Sequence, residues 1–361
     1  MKLAFGIVGL PNVGKSTLFN TLTLKSVPAE NFPFCTIDPN VGVVPVKDLR
    51  LDRLEEIEDS ESKLPAVLEF VDIAGLIKGA HKGEGLGNKF LSNIKSVDAI
   101  IHVVRNFRND TITHVNNKID PKDDIEIINT ELILKDMETV EARLKKIERD
   151  AHRDKEVKIV FDYIDGLKNF LASGNLAKDF QVHKEEFVKN ERASLFLLTD
   201  KPIIYLVNTI DMDQADEELK MNLGLKAHDV LMQMDIKTEN EIFTMDESDR
   251  AEYMKDLGIE EPGIDKLTRL AYKTLGLISF FTSGKKEVRA WTIELGTNLR
   301  DAAGVIHNDF RDKFIAADVV SFENFDTSNG WNGSKSNGKV RLEGKEYIVK
   351  DGDVIIFRHG A

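Results

Sequence analysis

The chain of 361 residues has one cysteine, Cys35, which excludes an internal disulfide and any metal cage built on cysteine thiolates. It has no run of about 18 uninterrupted apolar residues, so no membrane-spanning helix is expected. After Met1 and Lys2 the strand-like LAFGIVGL begins at once, without a cleavage signal, and the protein is expected in the cytoplasm with no membrane partner. Positive charge is also short. A net charge of −13 argues against a protein that coats DNA or RNA by bulk electrostatics, and no DNA partner is expected. From Lys285 onward basic and acidic residues balance at twelve each, so the negative excess lies upstream. Any RNA contact then falls to the C-terminal part or to a local basic loop. Material for a core is abundant. At this length, 42% hydrophobic and 31% charged residues predict two or three folded domains.

Short apolar runs predict strands at Ala4 to Val8, Val41 to Val44, Val67 to Val71 and Ala99 to Val104, with helices after Lys15 and around Lys89 to Ile94. Strands alternating with helices predict an α/β fold, a mostly parallel sheet covered on both faces. The pattern changes near Asp124. Ile133, Met137, Val140, Leu144 and Ile147 step by four and three, with Lys135, Glu138, Glu141, Lys145 and Lys146 between them, which predicts a helix with a narrow apolar seam. A second helix is expected over about Val157 to Ala172, stopped by Ser173-Gly174-Asn175. Folded back on each other, the two make an antiparallel helical arm inserted in the sheet domain. From about Ser279, short alternating runs with Gly and Asp-Gly turns predict a small β-rich domain.

The strongest chemical signal is GLPNVGKSTLFN. Gly9, Gly14, Lys15 and Ser16 fit G-x-x-x-x-G-K-[ST] between a strand and a helix, the context that pattern requires. Glycines let the backbone wrap a phosphate with its N–H groups pointing inward. Asn12, Val13, Gly14, Lys15, Ser16 and Thr17 are candidate nucleotide-binding residues, with Lys15 on the β and γ phosphates and the Ser16 hydroxyl on Mg²⁺. In FVDIAGLIKGAHKGEGLG, Asp72 ends an apolar strand where it can hold Mg²⁺ through water, and the Gly75 N–H can approach the γ phosphate. Thr36, in NFPFCTIDPNVGVV between these two motifs, is the candidate second hydroxyl on the metal. In YLVNTIDMD, the strand Ile203 to Val207 delivers Asn208 and then Asp211 in the frame of the guanine-reading Asn-Lys-x-Asp, with Thr209 in place of the lysine.

These stretches, together with EVRAWTIELGTNLRDAAGVIHNDFRDKFIAADVVSFENF, resemble the YchF (Obg-like ATPase) family of translation-associated P-loop proteins over nearly the whole chain. The resemblance implies a G domain over residues 1–277, interrupted by a coiled-coil arm over 125–198 and followed by a TGS domain over 278–361. It implies association with the ribosome and ribosomal RNA, a link to translation and stress responses, and a preference for ATP over GTP. The position after the D-x-x-G glycine is Leu76, which cannot orient the attacking water as a glutamine does. The resemblance supplies a histidine in a mobile loop instead, at His114, with His81 as competitor. It also attaches K⁺ to Asn12.

The base is the open point. Family members carry Asn-x-x-Glu, whereas this chain has Asn208-Thr209-Ile210-Asp211, and LMQMDIKTENEI offers no recognisable Ser-Ala-type loop. A carboxylate facing adenine N1 is left unpaired, which favours guanine, but the lysine that covers guanine is missing. ATP is the preferred reading. A GTPase of the same fold, or a ribosome- or RNA-binding scaffold with an idle nucleotide site, are the alternatives. Trp331, in the polar SNGWNGSKSNGK, either stacks on a base or caps its own domain's core.

Overall fold

A computed structural model describes residues 3–27, 40–73, 86–107 and 120–360, the side chains of 86–89 and 247 excepted. Strands are β1 (Ala4–Val8), β2 (Val41–Pro45), β3 (Lys63–Leu64), β4 (Val67–Asp72), β5 (Ala99–Arg105), β6 (Ile203–Asn208), β7 (Val230–Met234), β8 (Leu277–Ser283), β9 (Val288–Glu294), β10 (Phe314–Ser321), β11 (Arg341–Glu343) and β12 (Asp353–His359). The helices up to β8 are α1 (Lys15–Leu24), α2 (Leu49–Glu58), α3 (Leu86–Lys95), α4 (Pro121–Ala151), α5 (Lys155–Ala172), α6 (Glu186–Ser194), α7 (Asp216–Leu223), α8 (Ile236–Thr244), α9 (Glu247–Asp256) and α10 (Gly263–Thr274).

The first sheet has the order β2-β4-β1-β5-β6-β7. All its neighbours are parallel except β2 on β4. Every residue of β1, β5 and β6 is buried, as strands covered on both faces by crossover helices must be. The carboxyl ends of β1, β5 and β6 therefore open on one edge, where α/β sheets place their ligands.

The long helix α4 starts on a Pro at its first turn, with Asp120 accepting the Asp123 N–H at 3.3 Å. Its seam is as the sequence predicts, since Ile133, Val140, Leu144 and Ile147 are buried. Its first turns differ from a free arm: Ile125, Ile128 and Leu132 are buried in the sheet domain's core, and α4 packs on β5 and α7. The arm is thus rooted by one continuous helix. Asp154 caps α5 by accepting the Glu156 and Val157 N–H groups, and Gly174 at φ +84° ends the segment.

The second sheet has the order β11-β10-β12-β8-β9-β3. Its last strand comes from the first part of the chain: Lys63 and Leu64 pair in parallel with Val288 and Arg289. Arg50 reinforces the junction by reaching Asp48 on its own side and Asp351 at 2.8 Å across it. Four short helices join this sheet, α11 (Leu299–Ile306), α12 (Asn308–Asp312), α13 (Phe322–Thr327) and α14 (Trp331–Ser336). The C-terminal part is therefore more helical than the alternating pattern suggests, and SNGWNGSKSNGK carries the helix Trp331–Ser336 between turns rather than being a loop throughout. Trp331 packs on the large hydrophobic cluster that the two sheets share, not on the C-terminal sheet's separate one. It is half-buried, its ring meets Phe325 edge-on at 5.4 Å and its Nε1–H donates to the Ser283 carbonyl at 3.2 Å, so the ring is held in packing.

Candidate nucleotide site

At the end of β1 the backbone turns through Gly9 to Gly14 into α1. Two glycines are required there by space. A Cβ on Gly9 would lie 2.5 Å from the Val103 carbonyl, and one on Gly14, at φ +108°, would lie 2.7 Å from Asn208 Nδ2. No side chain caps α1, so its first N–H groups are open to an anion. Lys15 is buried, and its Nζ donates to the Leu10 carbonyl at 2.6 Å. Burial lowers its pKa to about 8 against the opposing pull of Asp72. Asp72, at the end of β4 and in register with Ile7, has its pKa raised by burial and held back by Lys15. The pair forms a charge cluster at the sheet edge that a polyphosphate would complete.

A pocket of about 630 Å³ opens over this turn. Asn12, Gly14, Lys15, Ser16 and Thr17 line one side, and Phe107, Asn208, Ile210, Asp235, Ile236 and Lys237 line the other. Asn208 joins the two sides. Buried at the end of β6, it donates from Nδ2 to the Val13 carbonyl at 2.9 Å and accepts the Ile236 N–H at 3.3 Å. Residues 235–237, where the sequence shows no recognisable base loop, take that place. Asp235 spends its carboxylate capping α8, accepting the Lys237 and Thr238 N–H groups and the Thr238 hydroxyl.

The structure does not bring Thr209 and Asp211 to the pocket wall. Thr209 is buried, and its hydroxyl donates to the Asp211 carbonyl while accepting the Asp211 N–H. Asp211 is exposed, and its Oδ1 accepts the Asp213 N–H at 3.2 Å. The short carboxylate thus closes its own turn, and Ile210, 72% exposed, faces the pocket in its stead. Cys35, Thr36, Gly75, His81 and His114 lie outside the described residues.

Sequence reasoning missed Phe107, Ile210 and Lys237, which reach the pocket from the ends of different strands. It also missed His102. This β5 histidine is buried, in register with Val8 and Tyr205, and its ring centroid lies 5.6 Å from that of Tyr205. Burial first, and then the Lys15 charge, push its pKa to about 3, so it is neutral and adds no charge beneath the site.

Among the described residues no group of three or more His, Cys, Asp or Glu could hold a metal ion. A metal here would rest on the Ser16 hydroxyl, the Asp72 carboxylate and phosphate oxygens. These few hard donors suit Mg²⁺, which keeps most of its waters.

Comparison with known proteins agrees with this geometry. Residues 4–140 match the family described as 50S ribosome-binding GTPase, and residues 277–360 match the YchF-GTPase C-terminal family, described as a protein of unknown function. The chain is 47% identical to the ribosome-binding ATPase YchF of Bacillus subtilis, over 99% of both chains. It is 43% identical to Obg-like ATPase 1 of Gallus gallus, over 99% of this chain and 92% of that one. The solved structure of the Schizosaccharomyces pombe YchF GTPase superimposes with a TM-score of 0.88 at 36% identity, covering 99% of this chain and 98% of that one. With the P-loop, the sheet order and the C-terminal match all in agreement, the chain belongs to the YchF (Obg-like ATPase) family.

Proposed function

We propose that this protein binds ATP with Mg²⁺, hydrolyses it slowly and uses the bound state to control docking on the ribosome. The names of its relatives support the ATPase activity and the ribosome as partner. One observation favours adenine. The described pocket wall offers guanine N1–H and its exocyclic amine no free carboxylate: Asp211 lies off the wall in its own turn, and Asp235, which lines it, is engaged in capping α8. Phe107 and the exposed Ile210 offer apolar surface to a base of either kind. A base site without a free carboxylate gives guanine no reward for its two donors.

In this reading Lys15 leaves the Leu10 carbonyl for the β and γ phosphates, and the α1 N–H groups hold the phosphate oxygens. Ser16, Thr36 and Asp72 hold Mg²⁺, which neutralises phosphate charge when bound. Gly75 approaches the γ phosphate by its N–H, and His114 orients the attacking water in place of the missing glutamine. Asn12 lines the pocket, so a comparison of K⁺ with Na⁺ in the hydrolysis assay tests the monovalent-cation role. Within the ribosome it contacts ribosomal RNA, and it works in the cytoplasm. Among the described residues no helix is long and apolar enough to cross a membrane. An idle scaffold is disfavoured by a sequence that retains Lys15, Ser16, Thr36 and Asp72 and by the Asn208 tie across the pocket.

Asp211→Ala is expected to leave the ATP dissociation constant within about threefold of wild type, because an exposed turn carboxylate contributes little. A loss of about tenfold or more in an equilibrium titration would show that Asp211 does reach the base.

The lysine makes a pH prediction. A bound triphosphate returns Lys15 from its free-state pKa of about 8 toward the usual lysine range. The bound form thus carries the higher pKa, so binding takes up a proton once free Lys15 has lost its own. Affinity is then level below the free-state value and falls as the pH rises above it, by at most about tenfold per unit. Calorimetric titration in buffers of different ionisation enthalpy measures the uptake; release of protons above pH 8 would contradict it.

A further inference from the structure

Phe196 lies in the loop between α6 and the short turn Leu198–Asp200. It is 65% exposed at φ +47°, a backbone region that costs a bulky residue energy and that glycine or asparagine would occupy more cheaply. Its neighbours Leu195, Leu197 and Leu198 are buried, which explains why residue 196 points out but not why it is aromatic.

The loop is braced on both sides. Before it, Arg192 forks onto Asp200 at 2.7 and 2.9 Å, donates to the Ala177 carbonyl at 2.6 Å and meets the Tyr163 hydroxyl at 2.9 Å. After it, the buried Asp136 carboxylate accepts the Leu198 N–H, the Thr199 N–H and the Thr199 hydroxyl at 2.7, 2.8 and 2.6 Å. Strain held this firmly is a mark of a functional position.

Beside Phe196 is a cavity of about 240 Å³ between α3 and α4. Leu91 and Leu198 form its apolar lining, Ser92 and Thr139 bring hydroxyls, and Lys95 and Lys135 flank it. Asp136, the acid in the wall, has its oxygens occupied by the loop. Lys95 is exposed and makes no ion pair among the described residues, while Lys135 pairs only with the exposed Glu138. The cavity is smaller than pockets that take drug-sized ligands, and it suits one planar group rather than a helix. An aromatic face, two hydroxyls and two flanking ammonium groups are the chemistry that receives an unstacked nucleobase with its phosphates.

We propose that Phe196, with Leu91, Ser92, Thr139 and the two lysines, is a docking site for a single unpaired base of ribosomal RNA at the root of the arm. The site rests on the ribosome-binding reading and gives it an address outside the nucleotide pocket.

The test is co-sedimentation of the full chain with purified ribosomes, with ultraviolet cross-linking of the bound complex. Phe196→Ala is expected to weaken binding by about 5- to 150-fold, the range for loss of one base stack, whereas Phe196→Trp retains it. Phe196→Gly weakens binding too while keeping or raising the melting temperature, since glycine relieves the positive φ; this separates docking from folding. Lys95→Ala combined with Lys135→Ala flattens the salt dependence. Cross-links from the peptide carrying Phe196 go to RNA. Wild-type binding with Phe196→Ala unchanged overturns the docking site and leaves the ribosome reading intact. Cross-links from that peptide to a ribosomal protein overturn the RNA assignment. Failure of the wild type itself to sediment removes the ribosome reading and this site with it.

Discussion

Lys15→Ala is expected to lower kcat/KM for ATP by roughly 10²- to 10³-fold, the cost of losing one preorganised group aimed at transition-state charge. The free structure shows why the loss falls on chemistry rather than on folding. Burial already works against the Lys15 charge, which Asp72 and the Leu10 carbonyl offset in part. Removing the ammonium leaves one carbonyl without its donor but also removes a desolvated charge, two effects of opposite sign. The melting temperature is therefore expected to shift by only a few degrees, on the order of 1 kcal/mol for a chain of this size. Steady-state hydrolysis beside a thermal melt checks both halves. Turnover in Lys15→Ala equal to wild type would place the active site elsewhere.

The second large effect belongs to Asn208, which does a different job. It touches both the Val13 carbonyl and the Ile236 N–H, so it fixes the phosphate loop against the base loop. Asn208→Ala strands both buried groups, at about 1 to 3 kcal/mol each before relaxation. A loss of about 2 to 4 kcal/mol in a denaturant titration is expected, with weaker binding of ATP and GTP alike because the pocket's two walls come loose. Added nucleotide then raises the melting temperature of the variant less than that of wild type. A change confined to one of the two nucleotides would mean that Asn208 reads the base directly.

The contrast between Asn208 and Asp211 marks the limit of what the sequence made legible. Both belong to one four-residue frame. Asn208 ends a wholly buried strand, so its direction follows from the strand. Asp211 lies beyond the strand, where Thr209 and the Asp213 N–H decide where the carboxylate goes. No periodicity encodes that choice. The phosphate turn was legible for the opposite reason, since its glycine spacing, preceding strand and following helix are all local. The seam of α4 was legible as well, because four of its five positions are buried and each repeats the last.

Contacts made across the chain were not legible. Phe107, Ile210 and Lys237 converge on the pocket from beyond β5, beyond β6 and from the first turn of α8, and only the sheet order brings them together. The edge strand β3 is two residues long and finds its partner in β9, more than two hundred residues on. Short polar helices such as α14 carry little local signal, and its packing of Trp331 on Phe325 is what stabilises it.

Equilibrium binding of ATP and GTP to the wild-type protein in Mg²⁺ tests the central claim most directly. A pocket whose nearby carboxylates are spent on a turn and a helix cap predicts tighter ATP binding, by about tenfold or more. GTP bound tighter by a similar margin would contradict the account, and would mean that Asp211 leaves its turn to read guanine.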